Sequence, residues 1–337
     1  MSINLTIFMN EEYLERIGST WIIDSIYLFI ISPIIFLAIL FNSINLRVFT
    51  MIKQNKYSIN KYYAIYSANS LIAAILTFSL MYTNSPRYFI EANYYLARIF
   101  RCKLAAIFIN NFLLFGICLE IVVAIERISV LDKRYGFLKN RSVTFVSIVS
   151  YLIVALINMP SWFFDIKTDW QINERIKDPV KLKTFDLCEL ESFFQQIYGS
   201  YLLIFSTLIR NFLVFIIEIA INLIYVTKFK AFLNDKLHKG IDINTLIINR
   251  KKMRKCFKTY FFLSAMSIIT NIVKVISTLT YLFLKGNILT YYFLMLYYIF
   301  QSLKHTSNFF VFYFYNSIFY TTLIEKTFFG RLMKYKS

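Results

Sequence analysis

From Ser25 onward the chain alternates between long apolar runs and short polar stretches. A helix that crosses a bilayer needs about 20 mostly apolar residues. Seven segments meet that length: 25–49, 62–82, 104–131, 143–164, 197–226, 256–284 and 289–315. The third carries Glu120, and the sixth mixes polar residues into "MSIITNIVKVISTLT". A last stretch, "NSIFYTTLIEKTFFGRLMKYKS", follows the seventh. Its apolar and cationic residues recur at helical spacing, which predicts an amphipathic helix on a membrane surface. The expected fold is an all-α integral membrane bundle of seven helices with a short amphipathic eighth. Residues 1–24 form an N-terminal segment, 25–315 the bundle and 316–337 a tail.

Composition agrees with this pattern. Of 337 residues, 58% are hydrophobic, 19% aromatic and 17% charged. Soluble chains are about half apolar and about a quarter charged. The partner implied is the lipid bilayer. A net charge of +18 raises the question of nucleic acid, but the cations fall in loops between apolar runs and not on one basic face. Nucleic acid is therefore not expected as a partner.

The loops set the orientation. Short loops rich in Lys and Arg stay cytoplasmic. Lys53, Lys56 and Lys61 follow the first span, and Lys133, Arg134, Lys139 and Arg141 follow the third. Lys228, Lys230, Lys236, Lys239 and the run from Arg250 to Lys255 follow the fifth. The tail adds Lys326, Arg331, Lys334 and Lys336. The N-terminal segment instead carries Glu11, Glu12, Glu15 and Asp24 against Arg16. This places the N-terminus outside and the C-terminus inside. Residues 1–20 lack the cationic start and apolar core of a cleavable signal, so the first span is expected to direct its own insertion. The "NLT" sequon makes Asn4 a glycosylation acceptor on an outer N-terminus. Cys102 and Cys188 fall on the outer side, where disulfides persist. Cys118 and Cys256 are expected to stay reduced.

Seven spans, with one outer cysteine ahead of the third and another in the next outer loop, resemble the rhodopsin-like family of G-protein-coupled receptors. In that family the first cysteine lies twenty-five residues before the arginine of an Asp/Glu-Arg-Tyr motif. Cys102 and Arg127 have this spacing, and Arg127 follows Glu126. Ile128 stands at the tyrosine position. Asn42 and Asn60 match the spacing of asparagines in family spans one and two. Ser70 stands where the family has an aspartate, and Pro160 ends the fourth span. The Asn-Pro-x-x-Tyr motif of span seven becomes Asn308, Phe309 and Phe312, with Phe319 at the start of the eighth helix. Span six lacks the family's Cys-Trp-x-Pro, and span five has no proline. The likeness covers nearly the whole chain in architecture, with clear motifs in spans one, three and seven. Its flavour is that of divergent invertebrate peptide and chemosensory receptors.

The resemblance implies a Cys102–Cys188 disulfide, a plasma-membrane location, an extracellular ligand and a heterotrimeric G protein as partner. It implies no cofactor and no metal. It gives Arg127 a role as a switch, held by Glu126 in the resting state and released as helix six moves. The plainer reading is an arginine that snorkels to the interface. Asp132, a few residues on, reads as a solvated charge.

Glu120 lies seven residues before Arg127, so about 10 Å deeper at a rise of 1.5 Å per residue. A lone carboxylate there is costly or becomes protonated. Lys274, Lys304 and His305 are the available intramembrane cations. In the family an acid in span two anchors a polar core, and here Ser70 replaces it. The expectation is that Glu120 with Lys304 or His305 supplies an ion pair instead, beside Asn42 and Ser70. The alternative is a protonated Glu120 bonded to a helix carbonyl. Arg210 and Glu218 lie eight apart in span five and await partners on other helices.

The outer loop from 167 to 191 is long and charged in both signs. It fits contact with a peptide ligand ahead of a small odorant, and equally a solvated loop. The competing class is a seven-helix transporter or channel-like protein that does not engage G proteins. Such proteins carry broken helices at paired Gly/Pro interruptions, whereas this chain has seven Gly, four Pro and no evident repeat. An enzyme is not expected. The two histidines, His238 and His305, are far apart, and no cluster has metal or nucleophile spacing.

Overall fold

The structure is a computed structural model. It describes residues 25–52, 58–84, 106–132, 141–159, 164–166, 188–190, 208–238, 243–283 and 288–327. Eight α-helices run through them: α1 Ser32–Met51, α2 Ser58–Asn84, α3 Ala106–Leu131, α4 Val143–Ile157, α5 Val214–His238, α6 Ile243–Phe283, α7 Ile288–Tyr315 and α8 Ser317–Lys326. A π-helical turn, Tyr27–Ile31, leads into α1, and another, Ile209–Leu213, leads into α5.

Local chemistry sets several ends. Pro33 in the first turn of α1 has no N–H to donate to the preceding turn, and the π-helical turn Tyr27–Ile31 stands directly before it. Ser142 caps α4 by accepting from the Phe145 N–H (3.2 Å). Asn316 caps α8 through the Phe319 N–H (3.1 Å) and so separates α8 from α7.

The apolar runs mark the helices but not all their ends. α5 reaches His238 and α6 begins at Ile243, so both pass through cationic stretches expected to be loop. Lys and Arg are good helix formers, and a helix satisfies its own backbone in water as in lipid. α4 stops at Ile157, earlier than expected. Pro160 follows closely and disfavours helix in the residue before it. Phe164, expected to close that span, opens the strand β1, Phe164–Ile166. β1 pairs antiparallel with β2, Cys188–Leu190, with Ile166 opposite Cys188.

The helices form a closed ring. α1 packs on α2 and α7, α2 on α3, α3 on α5, and α5 and α7 on α6, while α4 lies outside against α3. The ring buries many polar side chains among its apolar core and turns large apolar side chains outward. Asn42, Asn45, Ser67, Ser70, Ser267 and Thr270 are fully buried. Phe29, Phe36, Leu156, Leu223 and Phe314 are well exposed. Such an outer surface is unfavourable in water and suits hydrocarbon, where polar side chains turn to neighbouring helices. Among the described residues, four helical stretches are long and apolar enough to cross a membrane: Tyr27–Met51, Ile107–Leu131, Ile209–Phe232 and Phe257–Thr280. The chain is thus a multi-pass membrane protein by the length and composition of its helices.

One close approach depends on glycine. Asn69 of α2 donates to the Phe112 carbonyl of α3 (2.9 Å). A Cβ on Gly116 would stand 3.1 Å from that Asn69 amide nitrogen.

Candidate functional site

The centre of the ring holds an ion pair. α3 supplies Glu120 and α7 supplies Lys304, with Nζ 2.9 Å from Oε1. Both side chains are over nine-tenths buried, at 6% and 7% exposure. The same Glu120 oxygen accepts a 2.5 Å hydrogen bond from the Tyr66 hydroxyl of α2. Lys304 also donates to Ser267 Oγ of α6 (2.9 Å). Short, charge-assisted bonds of this kind are the strong ones. Breaking such a buried pair by removing one partner costs about 3–5 kcal/mol, because it strands the other charge.

A second acid stands beside the pair. Glu218 of α5 is 2% exposed. Its Oε2 accepts from Asn271 Nδ2 of α6 (2.8 Å), and both Glu120 and Lys304 lie within its electrostatic reach. Asn222 Nδ2 donates to the Glu218 carbonyl, and the Tyr260 hydroxyl donates to Asn222 Oδ1 (2.5 Å). Side chains of α2, α3, α5, α6 and α7 thus share one network. Next to it lies a cavity of about 10 Å³ bounded by Glu120, Tyr63, Tyr66, Tyr260 and Ser264, which is about the space of one water. Among the described residues, Glu120 Oε2 has no hydrogen-bond partner.

Lys304, and not His305, pairs with Glu120. One residue along a helix turns the side chain by about 100°. His305 faces elsewhere. Its Nε2 lies 2.8 Å from Gln301 Nε2, and its carbonyl accepts from Asn42 Nδ2 (2.9 Å). Asn42 therefore ties α1 to α7 without reaching the ion pair. Ser70 is fully buried, but its hydroxyl makes no hydrogen bond, so it takes no part in the network expected of it. Lys274 does not reach Glu120 either. Its charged neighbours are Arg210 and Lys304.

A second centre lies at the C-terminal end of α3. Arg127 donates from Nη2 to the Tyr63 hydroxyl of α2 (3.1 Å), with Glu126 in electrostatic reach. The Tyr63 ring lies 4.8 Å from Phe312, which meets Phe49 edge-on at 4.9 Å and Phe319 at 5.7 Å. Phe309 stacks on Phe41 at 4.7 Å. The two phenylalanines of the helix-seven motif are thus packing residues joining α7, α1 and α8. Asn308 is buried beside the Tyr66 hydroxyl. Tyr63 belongs to both centres, since it bounds the cavity by Glu120 and also holds Arg127.

Asp132 is not a free solvated charge. Its Oδ2 meets Lys228 Nζ at 2.8 Å, tying the end of α3 to the C-terminal half of α5. The helix-five charges find different partners. Arg210 donates to Asn158 Oδ1 of the α4 end (3.4 Å), while Glu218 turns to α6. Cys118 is a free thiol. Cys102 and Asn4 lie outside the described residues, and of Cys188 only its backbone in β2 is described, so neither the disulfide nor the glycosylation is observed.

The residues that sequence reasoning missed are Tyr66, Ser267, Asn271, Tyr260 and Asn222. A signal was present for α6. Tyr260, Ser264, Ser267, Asn271, Lys274 and Thr278 recur at spacings of four and three along one helical face.

No protein-family model matches this chain, and no curated protein sequence does.

Proposed function

We propose that the chain is a receptor of the rhodopsin-like G-protein-coupled class. In this reading seven helices span the plasma membrane, with the N-terminus outside and α8 along the inner face. An extracellular ligand, a peptide ahead of a small odorant, shifts the bundle and activates a heterotrimeric G protein.

The observation that carries the reading is the setting of Arg127. It stands at the last turns of α3, next to Glu126, and is held by Tyr63, whose ring packs against Phe312 and through it Phe319. A chain of contacts through α2, α7 and α8 thus ends at the guanidinium that α3 carries. The Lys- and Arg-rich stretches of the sequence flank this same end, as the positive-inside rule asks of a cytoplasmic face. The spacing from Cys102 adds a second, independent support.

In mechanism, the Tyr63 bond favours a closed inner end. A ligand that binds an open arrangement better shifts the population toward it. α6 is the natural moving part. Its polar stripe touches α7 through Ser267 and α5 through Asn271 and Tyr260, so its displacement rearranges the core network. Arg127 then becomes available to the G protein.

Expression with a set of chimeric G proteins tests the reading. Ligand-independent signalling should fall when Arg127 is changed to Ala. Equal signalling by both forms in every channel, with surface expression intact, contradicts it.

A further inference from the structure

We infer that Arg210 and Lys274 form the binding site for an anionic group, such as a carboxylate, on the extracellular ligand. The inference deepens the receptor reading and rests on it for the side from which the ligand enters.

Three elements bring the two cations together. Arg210 lies in the π-helical turn Ile209–Leu213, and turns of this kind recur at functional sites. Its neighbour Asn211 donates to Thr278 Oγ1 of α6 (3.1 Å), and Thr278 donates to the Lys274 carbonyl one turn back (2.9 Å). This clasp fixes the start of the fifth helix against the stretch of α6 that carries Lys274. Asn158 at the end of α4 takes one Arg210 N–H (3.4 Å). Tyr297 of α7 stands near the same guanidinium.

Among the described residues, the charges around Lys274 are all of one sign. Lys274 has Arg210 and Lys304 as its charged neighbours, and no acid among them. Lys304 already belongs to Glu120. Lys274 Nζ has no hydrogen-bond or ion-pair partner among the described residues, and Arg210 Nε is buried without one. Two cations within electrostatic reach of each other in an apolar bundle, on segments clasped by the Asn211–Thr278 bond, are unfavourable. An entering anion removes that cost. The guanidinium offers a planar pair of donors and the ammonium a point charge, a combination that suits a carboxylate, sulfate or phosphate group.

The site also lies at the correct end. Asp132, just past the end of α3, pairs with Lys228 in the C-terminal half of α5, on the side where Arg127 sits. The start of the fifth helix, with Arg210, is therefore at the opposite end of the bundle.

Thermal melting of the full chain in lipid nanodiscs tests the site without any signalling readout. The probes are sodium succinate, sulfate and phosphate, compared with sodium chloride at equal ionic strength. At least one polyvalent anion should raise the melting temperature saturably. In Lys274→Met that shift should vanish or need about tenfold more anion. Lys274→Met in chloride alone should melt above the parent, because a stranded cation is gone. Lys274→Glu should also melt higher, by pairing with Arg210, and should not respond to anions. Equal anion shifts in the parent and in Lys274→Met would show ionic screening only and overturn the proposal. A Lys274→Met protein that melts lower in chloride would reveal an acidic partner within the chain and also overturn it. G-protein exchange is scored separately through Arg127, so a failed anion site and a failed receptor reading give different results.

Discussion

Glu120 and Lys304 meet at 2.9 Å in the centre of the bundle, and each is almost wholly buried. They come from α3 and α7, and Tyr66 and Ser267 complete their hydrogen bonding from α2 and α6. The pair holds four helices in one register. Its value lies in orientation more than in net stability, since the Coulomb gain of a buried pair is offset by desolvation.

The first prediction follows from that balance. Glu120→Gln and Lys304→Met should each destabilise the fold by about 3–5 kcal/mol, because each strands a charge. Glu120→Leu combined with Lys304→Met should recover most of the loss. Melting of purified protein in a double-mutant cycle measures this. Unchanged folding and signalling in Glu120→Gln would remove the pair from the account.

Glu218 should matter less. Gln at this position still accepts from the Asn271 amide, and no cation is left unpaired. Glu218→Gln should cost about 1 kcal/mol or less, within the range of one ordinary hydrogen bond. A loss as large as that of Glu120→Gln would mean that Glu218 is the true partner of Lys304.

Tyr63→Phe removes only a hydroxyl, and with it the bond that Arg127 Nη2 donates to Tyr63. A hydrogen bond to a charged group is worth about 1.5–3 kcal/mol. The closed inner end should weaken accordingly, and ligand-independent G-protein activation should rise about tenfold or more. Reduced activation with normal expression would show that Tyr63 supports the active arrangement instead.

Gly116→Ala pushes a Cβ toward the Asn69 amide at 3.1 Å and so competes with the Asn69–Phe112 bond. The cost should be on the order of 1 kcal/mol, the usual worth of that bond. In the background of Asn69→Ala the same substitution should cost little. Melting temperatures of the single and double variants decide it.

The elements of this fold were legible where lipid dictates sequence. Apolar runs located the cores of α1 to α7, four of which are long and apolar enough to cross a membrane among the described residues, and the alternation of apolar and cationic residues after the seventh run located α8. Ends governed by water were not legible. α5 and α6 continue through Lys- and Arg-rich stretches that hydropathy reads as loop, and β1 and β2 carry no alternating pattern long enough to show. The site was legible as an inventory of misplaced charges. That Glu120 needs either a cation or a proton follows from its place in an apolar run, but the choice of Lys304 over its neighbour His305 depends on helix rotation, which one sequence does not fix. The polar residues of the sixth segment counted against it as a span. In the folded bundle they form the inward stripe from Tyr260 to Thr278 that meets α5 and α7. Asp132 could not be told from a surface charge, because its partner Lys228 lies far away in the chain.

The central claim is that Arg127 engages a G protein when the inner end opens. The most direct test is nucleotide exchange by purified heterotrimers of each Gα class, mixed with the full chain in lipid nanodiscs. The parent should accelerate exchange in at least one class, Tyr63→Phe should accelerate it further, and Arg127→Ala should abolish the effect. If no class responds to the folded parent or to Tyr63→Phe, or if Arg127→Ala is as active as the parent, the receptor account is wrong.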